Sequence, residues 1–527
     1  MVLRTPSHVR RVRGGSPRRA PNRVGRGVGP GGHAHHLLGI RLRGRRPASG
    51  PAVRGFSLRL ALGLQFLALL TGCGQAPADE RPSLVLVLAD DQRFDTLSCA
   101  GGKHVQTPCL DRIAAEGAFF ERAYVTTSLC CPARAGILTG LYAHKTQIRS
   151  NEDDVDFLAS GLGFPELLQA EGYATGFFGK WHIPNPGAMP QPGFDKWVSF
   201  DGQGQYLDET FNIDGERKQL LGFNTDRLFD LALEWIGDQG SRPYLAIISL
   251  KNLHRPPTVP KRHRGSLADQ DWPLPESAHD PVEELPAFVQ RVRTTLRNRF
   301  FDDEGLTHEM SVRGYYQMML SLDDNVGRLT AALEEDGTSD RTALFVTSDG
   351  GFMWGEHGLY RKRTAYEPSI HVPLLVRFPR EIAAGTSLTD LALNIDIAPT
   401  MLDLAGATIP STYQGRSMRR LWGAGAPDWR RDLLYIDGWG KFVDGPQEMA
   451  VCTQRYKYVR YRRGVVEEAL FDLEADPDER HNIVGQEEHA ARLAAMAQRM
   501  SDLLVELEAP PTWMEAVEPG SAEHPGR

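Results

Sequence analysis

The sequence predicts an α/β protein with a large, mostly parallel sheet and a smaller C-terminal α+β subdomain with an antiparallel sheet. Three observations carry this. Short apolar runs of strand length alternate with segments of helical period. Acidic, basic or histidine residues follow several of those runs directly, where open α/β sheets place their ligands. The texture changes after about Pro410, where aromatic and basic residues alternate. With 527 residues the chain exceeds a typical single core, which favours one large unit plus a smaller one. Apolar and charged fractions of 41% and 24% are those of an ordinary globular chain, so neither fibrous nor wholly disordered classes apply.

Taken in order, the N-terminal segment stands apart. Before Asp79 there is no acidic residue and no lysine, but there are fourteen arginines among many glycines and prolines. Such a stretch buries too little apolar surface to fold, so residues 1–52 are expected to be a disordered extension or a mis-called start. Residues 53–73 read as a signal peptide. Arg54 and Arg59 supply the basic flank, and Leu60 to Leu70 form an apolar run too short to span a bilayer. The run ends in Leu70-Thr71-Gly72-Cys73, which resembles a bacterial lipoprotein signal. That resemblance implies a lipid on Cys73, a tether over 74–81, and export to the periplasm or cell surface. Loss of the fourteen arginines takes the formal charge from −7 to −21. So acidic a body does not attract nucleic acid, and its only membrane contact is expected to be the anchor. An anionic substrate would need a locally positive pocket.

The remaining elements follow. Strands are expected at 83–89 ("SLVLVLA", then Asp90-Asp91), 173–179 ("YATGFFG", then "KWH"), 244–250 ("YLAIISL", then "KNLH"), 342–348 ("TALFVTS", then "DGG") and 371–378 ("HVPLLVRF"). All five read as buried parallel strands. Helices are expected at 108–117, 131–141, 163–171, 224–237, 313–335 and 395–405. Residues 255–312, rich in Pro, Arg, Asp and Glu, look like a long insertion or lid. "MAVCTQRYKYVRYRRG" and "EALFDLEADPDERHNI" read as antiparallel strands, and 485–508 as a closing helix. The division is therefore a catalytic domain over 82–409, a subdomain over 410–510 and a disordered tail over 511–527.

Chemistry concentrates at the strand ends. Adjacent aspartates at the end of an apolar strand are costly to bury uncompensated. Asp90, Asp91 and Asp349 are either solvated loop residues or the oxygen ligands of a hard cation, Ca²⁺ or Mg²⁺. No histidine–cysteine spacing suggests zinc. Of the six cysteines at 73, 99, 109, 130, 131 and 452, Cys130 raises the sharpest question. It is either a small buried thiol or the centre of an anion site. Pro132 suits a first helical turn, which places Cys130 just before a helix N-terminus with Arg134 one turn away.

The segment "SLCCPARAGILTG" (128–140) resembles the signature of the formylglycine-dependent sulfatases, C-x-P-x-R, matched by Cys130, Pro132 and Arg134. Further blocks resemble the family in the same order across 82–505. They include "LADDQRFDTLSCAGG", "GKWH", "NLHRPP", "TSDGGFMWGEHGL", "KRTAYEPSIHVPLLVRFP" and "NIDIAPTMLDLAG". The resemblance implies an alkaline-phosphatase-like sandwich and hydrolysis of sulfate esters. It implies that a formylglycine-generating enzyme oxidises Cys130 to formylglycine, which hydrates to a diol. Asp90, Asp91, Asp349 and residue 130 would hold calcium. Arg134 would steady the diol, Lys180 and Lys362 would neutralise the sulfate, His254 with Lys362 would protonate the leaving oxygen, and His182 would serve the release step. Trp181, His357 and Cys131 are expected to be structural.

The sequence departs from the family at one position. Gly350 stands where an Asn or His metal ligand usually follows the aspartate, so weakened cation binding is expected. "GLYAHK", "KRTAYEPS" and "NIDIAPT" resemble the branch acting on sulfated sugars, including N-acetylglucosamine 6-sulfate hydrolases. The substrate would then be a sulfated glycan. The alternatives are a phosphonate or phosphodiester hydrolase of the same superfamily, or a glycan-binding homologue weakened at Gly350.

Overall fold

The computed structural model describes residues 81–513 except 154, 156–162, 184–187, 288, 291–304, 424, 438–447 and 463–465. The expected extension, signal peptide, lipidated Cys73, tether up to residue 80 and tail beyond 513 lie outside the described residues.

A ten-stranded sheet organises the main body. Its strands in chain order are β1 (Ser83–Ala89) and β2 (Ala118–Phe120), then β4 (Ala174–Gly179), β5 (Lys196–Ser199), β6 (Thr210–Ile213), β7 (Glu216–Gln219) and β8 (Tyr244–Ser249), and finally β9 (Thr342–Ser348), β10 (Leu374–Arg377) and β11 (Thr386–Leu388). In space the order is β11-β2-β10-β9-β1-β8-β4-β5-β6-β7. A separate two-stranded piece pairs β3 (Ala123–Tyr124) with β12 (Ala392–Leu393). The central strands β9, β1, β8, β4 and β5 run parallel.

The continuous apolar runs follow from burial on both faces. In β1, Leu84, Leu86 and Leu88 enter one core while Val85, Val87 and Ala89 enter the other. The first core is closed by the helices Cys130–Thr139, Phe164–Ala170 and Ile397–Leu404, through residues such as Ile137, Leu168 and Met401. The second is closed by Pro108–Glu116, Asn224–Gly237 and His308–Glu335, through Ile113, Phe229 and Met319.

Three local differences from the sequence expectation have physical reasons. The run at 371–378 forms only the short β10, antiparallel to both β9 and β2. Apolar content reports burial on two faces but not strand direction. The long helix begins at His308 rather than 313, because the Thr307 side chain accepts from the Met310 N–H at 3.2 Å and caps it. Cys130 is itself the first residue of its helix, with extended Leu129 as the cap residue.

At the C-terminus a four-stranded antiparallel meander runs β13 (Asp432–Asp437), β14 (Glu448–Thr453), β15 (Tyr456–Arg462) and β16 (Val466–Asp472), followed by the helix Ala490–Glu506. Its apolar face shares one core with Tyr124, Val125, Tyr366 and Ile370 of the preceding chain. The Ile436 N–H also bonds the Thr126 carbonyl at 3.0 Å. The meander thus packs directly against the segment that leads into Cys130.

Candidate active site at the strand ends

Strand register brings the chemistry together. Ala89 of β1 pairs with Ser348 of β9, and Ser249 of β8 pairs with both Leu88 of β1 and Gly179 of β4. Four neighbouring parallel strands therefore end at one level. The next residues out are Asp90 and Asp91, Asp349, Lys180, and the Lys251–His254 turn. Gly179 is required here: its φ is +125°, and a Cβ would stand 1.8 Å from the Ser249 carbonyl oxygen. Asp91 adopts a left-handed φ of 63°, a conformation rare for a residue with a side chain. It is held by Tyr315, whose hydroxyl donates to the Asp91 carbonyl at 2.8 Å and accepts from the Arg93 N–H at 3.0 Å.

The helix Cys130–Thr139 points its N-terminus at these ends. Asp90, Asp91, Cys130 and Asp349 are all buried, and one potential ligand atom from each lies within 4.8 Å of the others. The Cys130 thiol is 3.6 Å from Asp90 Oδ1, and Lys362 Nζ stands 2.7 Å from the sulfur. Lys362 also pairs with Asp91 and lies 3.8 Å from Asp90. Lys180 pairs with Asp90. Arg134 donates through Nε to Asp349 at 2.6 Å and through Nη1 to the Lys180 carbonyl at 2.7 Å. Three acids are thus set against three bases in a space nearly closed to water.

The electrostatics follow from this packing. Burial raises the Asp90 pKa, but Lys180, His254, Lys362 and Arg134 outweigh it and hold the carboxyl well below the usual range. Burial, with Asp90 and Asp349 adding like charge, pushes Asp91 up to about 7. Burial also pushes the Cys130 thiol up to about 11, although Lys180 and Lys362 oppose it. An unmodified Cys130 is therefore a thiol, not a thiolate, and a poor nucleophile at neutral pH.

Both histidines are held neutral. Burial, reinforced by Lys180, lowers His254 to about 3 and His182 to about 2. The His254 Nδ1–H donates to the Arg255 carbonyl at 2.6 Å, which turns Nε2 toward Asp91 Oδ2 at 4.0 Å. His182 stands at the edge of the group. Its Nε2 meets Gln203 Nε2 at 3.1 Å and its Nδ1 faces the Cys131 sulfur at 3.7 Å. Trp181 packs in an aromatic cluster with Phe177 and Trp197, and His357 is buried against the Tyr366 ring.

The residues named from sequence as Asp90, Asp91, Cys130, Arg134, Lys180, His254, Asp349 and Lys362 converge. Sequence reasoning missed those that hold them. Ser128 Oγ accepts the Arg363 N–H at 3.0 Å and bonds the Tyr435 hydroxyl at 2.7 Å. Arg363 in turn donates to Asp437 at 3.1 Å. The meander thereby fixes the loop that carries Lys362. Tyr206, Gln203 and Lys251 line the opposite side. Lys251 lies in the quoted "KNLH" and its charge was a usable signal; Tyr206 and Gln203 carried none.

Comparisons with known proteins give the family and the fold. Residues 82–407 match the family described as Sulfatase, and 355–506 match N-sulphoglucosamine sulphohydrolase, C-terminal. An N-acetylglucosamine-6-O-sulfatase of Bacteroides thetaiotaomicron is 30% identical over 503 residues, covering 82% of this chain and 88% of that protein. The structure of BT4656 in complex with its substrate D-glucosamine-2-N,6-O-disulfate superposes with a TM-score of 0.73 at 28% identity, covering 82% of this chain and 99% of that one. A phosphonate monoester hydrolase from Silicibacter pomeroyi shares the fold, with a TM-score of 0.68 at 23% identity and coverage of 81% and 96%.

Proposed function

The chain belongs to the sulfatase family, and from that premise we propose that it removes sulfate esters from a sulfated glycan of the glucosamine type, using formylglycine made from Cys130 and a bound calcium ion. The observation that carries this reading is the shared hollow: a buried cysteine sulfur and three carboxylates from two strand ends, ringed by Arg134, Lys180 and Lys362. The sugar class is supported by the N-acetylglucosamine-6-O-sulfatase relative and by the disulfated glucosamine bound to BT4656.

The residues fit a hard cation. Asp91 Oδ2 is buried with no hydrogen-bond partner, a lone pair left open among oxygens from Asp90 and Asp349. These three acids and residue 130 would hold the ion. When present, the cation and the hydrated aldehyde would supply Lewis acidity and a nucleophilic hydroxyl.

The chain's own groups do the rest. Arg134 is fixed by Asp349 and two backbone carbonyls, so it orients residue 130 rather than moving with substrate. Lys180 and Lys362 place positive charge where the sulfate oxygens gain negative charge, and burial strengthens that effect. His254 presents Nε2 at the half-buried side, within reach of a leaving oxygen. Lysines help to hold it neutral, and an arriving sulfate offsets them, so substrate raises its affinity for the proton it must donate. His182, neutral beside Cys131, is the base for sulfate release. Maturation would require a formylglycine-generating enzyme, and the signal-like segment ending in Leu70-Thr71-Gly72-Cys73 supports export with a lipid anchor at Cys73.

Mass spectrometry of the peptide containing residue 130, with sulfate release from N-acetylglucosamine 6-sulfate set beside a phosphonate monoester, tests the reading. The expected result is a loss of about 18 Da at Cys130 and a clear preference for the sulfate ester. Full activity with an unmodified cysteine, or faster phosphonate cleavage, would overturn it.

A further inference from the structure

The reaction above uses three cations and leaves a fourth idle. Lys251, two residues beyond the end of β8, is only 5% exposed. Its ammonium stands 4.8 Å from the centre of the Tyr206 ring. Among the described residues no carboxylate pairs with it and no acceptor takes a hydrogen bond from it. The other three bases are engaged: Lys180 by Asp90, Arg134 by Asp349, Lys362 by Asp91. Glu209 is close enough to attract Lys251, but that carboxylate is taken by the backbone N–H groups of Gln205 and Thr210.

Lys251 nevertheless belongs to the site. It feels Asp90, Lys180 and Asp91. The Tyr206 hydroxyl shares its one proton between the His254 carbonyl at 2.5 Å and the Lys251 carbonyl at 3.0 Å. One side chain is therefore both the floor under this ammonium and the brace for the turn that presents His254. A mostly buried ammonium with no carboxylate in ion-pair contact is costly, a ring face recovers only part of that cost, and an anion entering the site would recover more.

We propose that Lys251, seated on Tyr206, binds a second anionic group of the substrate, a sulfamate or a carboxylate beside the reacting sulfate ester, and so selects doubly charged sugar units. This rests on the sulfatase reading above and deepens it.

The test compares kcat/KM on D-glucosamine 2-N,6-O-disulfate, on a 6-sulfated glucosamine linked to a uronic acid, and on N-acetylglucosamine 6-sulfate. The expected result is a wild-type preference for one of the two doubly charged substrates. Preference for the disulfate identifies a sulfamate subsite and preference for the uronate a carboxylate subsite. Lys251→Met should cut that preference roughly 10- to 100-fold, the range for losing a charged hydrogen bond, and Lys251→Arg should retain most of it. Equal losses on all three substrates, or an unchanged preference, would overturn the proposal. Failure of the sulfatase reading is separable, because glucosamine N-sulfate carries the second anion without the ester. It should bind wild type about tenfold more tightly than Lys251→Met in calorimetry, and equal binding would overturn the subsite whether or not any ester is cleaved. Should Lys251→Met fail to fold, Lys251→Gln serves in both measurements.

Discussion

Lys362 and Lys457 are both largely buried lysines flanked by acids, and they do opposite things. Lys457, fully buried on β15, forms ion pairs of 2.7 Å with Glu367 and with Glu479 and donates to the Ala365 carbonyl at 2.7 Å. Two carboxylates and a carbonyl surround its ammonium, and it ties the C-terminal meander to the loop after Lys362. Lys362 faces Asp91, the Cys130 sulfur and, at 3.8 Å, Asp90, while Asp91 Oδ2 beside it has no partner. One cluster surrounds a single ammonium with carboxylates from two segments and locks two parts of the fold. The other brings three carboxylates and a cysteine sulfur within 4.8 Å of one another, an excess of donor atoms on one point that suits a cation. Buried charge alone does not mark a site; like charges converging on one hollow do.

That contrast is broken most severely at its centre. Cys130→Ala should abolish sulfate ester hydrolysis, by at least roughly 10⁴-fold in kcat as for loss of a covalent nucleophile. The melting temperature should stay close to wild type, because the thiol only accepts from the Lys362 ammonium and donates a weak bond to Asp90 at 3.6 Å, and it fills little volume. Residual turnover above that level would remove residue 130 from the chemistry.

The two lysines should then separate stability from activity. Lys362→Met is expected to lower kcat/KM by roughly 10²- to 10³-fold, the scale for losing a transition-state charge partner. Lys457→Met should instead destabilise by about 3–5 kcal/mol, since it strands Glu367 and Glu479 in a dry interior. Activity per folded molecule should change little. Chemical denaturation and steady-state rates on both variants check this, and a reversed pattern would erase the distinction.

The locking region also has its own pH signature. Glu448, buried on β14, accepts the Ala365 N–H and the Thr364 hydroxyl, and burial pushes its pKa from 4.5 up to about 7. A raised carboxyl pKa means the folded state binds the proton more tightly. Its contribution is complete below pH 4.5 and is lost as pH rises through about 7, on the order of 3 kcal/mol in all. Glu448→Gln keeps both acceptor contacts without the charge. It should flatten the stability profile between pH 5 and pH 8 and raise stability at the upper end. An unchanged slope from denaturation at the two pH values would show that Glu448 does not titrate in this window.

The same contrast explains what was legible in the sequence. The open site announces itself through residue types placed directly after strands: Asp90-Asp91, Lys180, His254 and Asp349 stand out because polar groups interrupt apolar runs. The parallel core was legible for the same reason. The direction of β10 was not, since burial on two faces leaves the same apolar pattern in either orientation. The Lys457 cluster was not legible either. Glu367, Lys457 and Glu479 are far apart in the chain, and each alone looks like an ordinary surface charge. Tyr206, Ser128 and Asp437 were missed because they act through hydrogen bonds to backbone or loop partners that only tertiary structure supplies.

Gly350 offers the finest adjustment of the open region. It follows Asp349 at the end of β9, where the family resemblance implies a further ligand, and its missing side chain would leave a bound cation one donor short. A Cβ built there meets nothing nearer than Ser128 Cα at 3.8 Å, ordinary contact distance, so the first atom of a side chain is admitted without rearrangement. Gly350→Asn adds a carbonyl oxygen of the hard type that calcium prefers. The expected result is several-fold tighter calcium binding in calorimetry. With ligand in excess, a binding gain adds to folding stability as the logarithm of the affinity ratio, about 1.4 kcal/mol per tenfold. The calcium-dependent rise in melting temperature should therefore be larger in the variant, while chelated wild type and chelated variant melt together. Identical calcium shifts in the two proteins would mean that a group other than position 350 already completes the cation's shell.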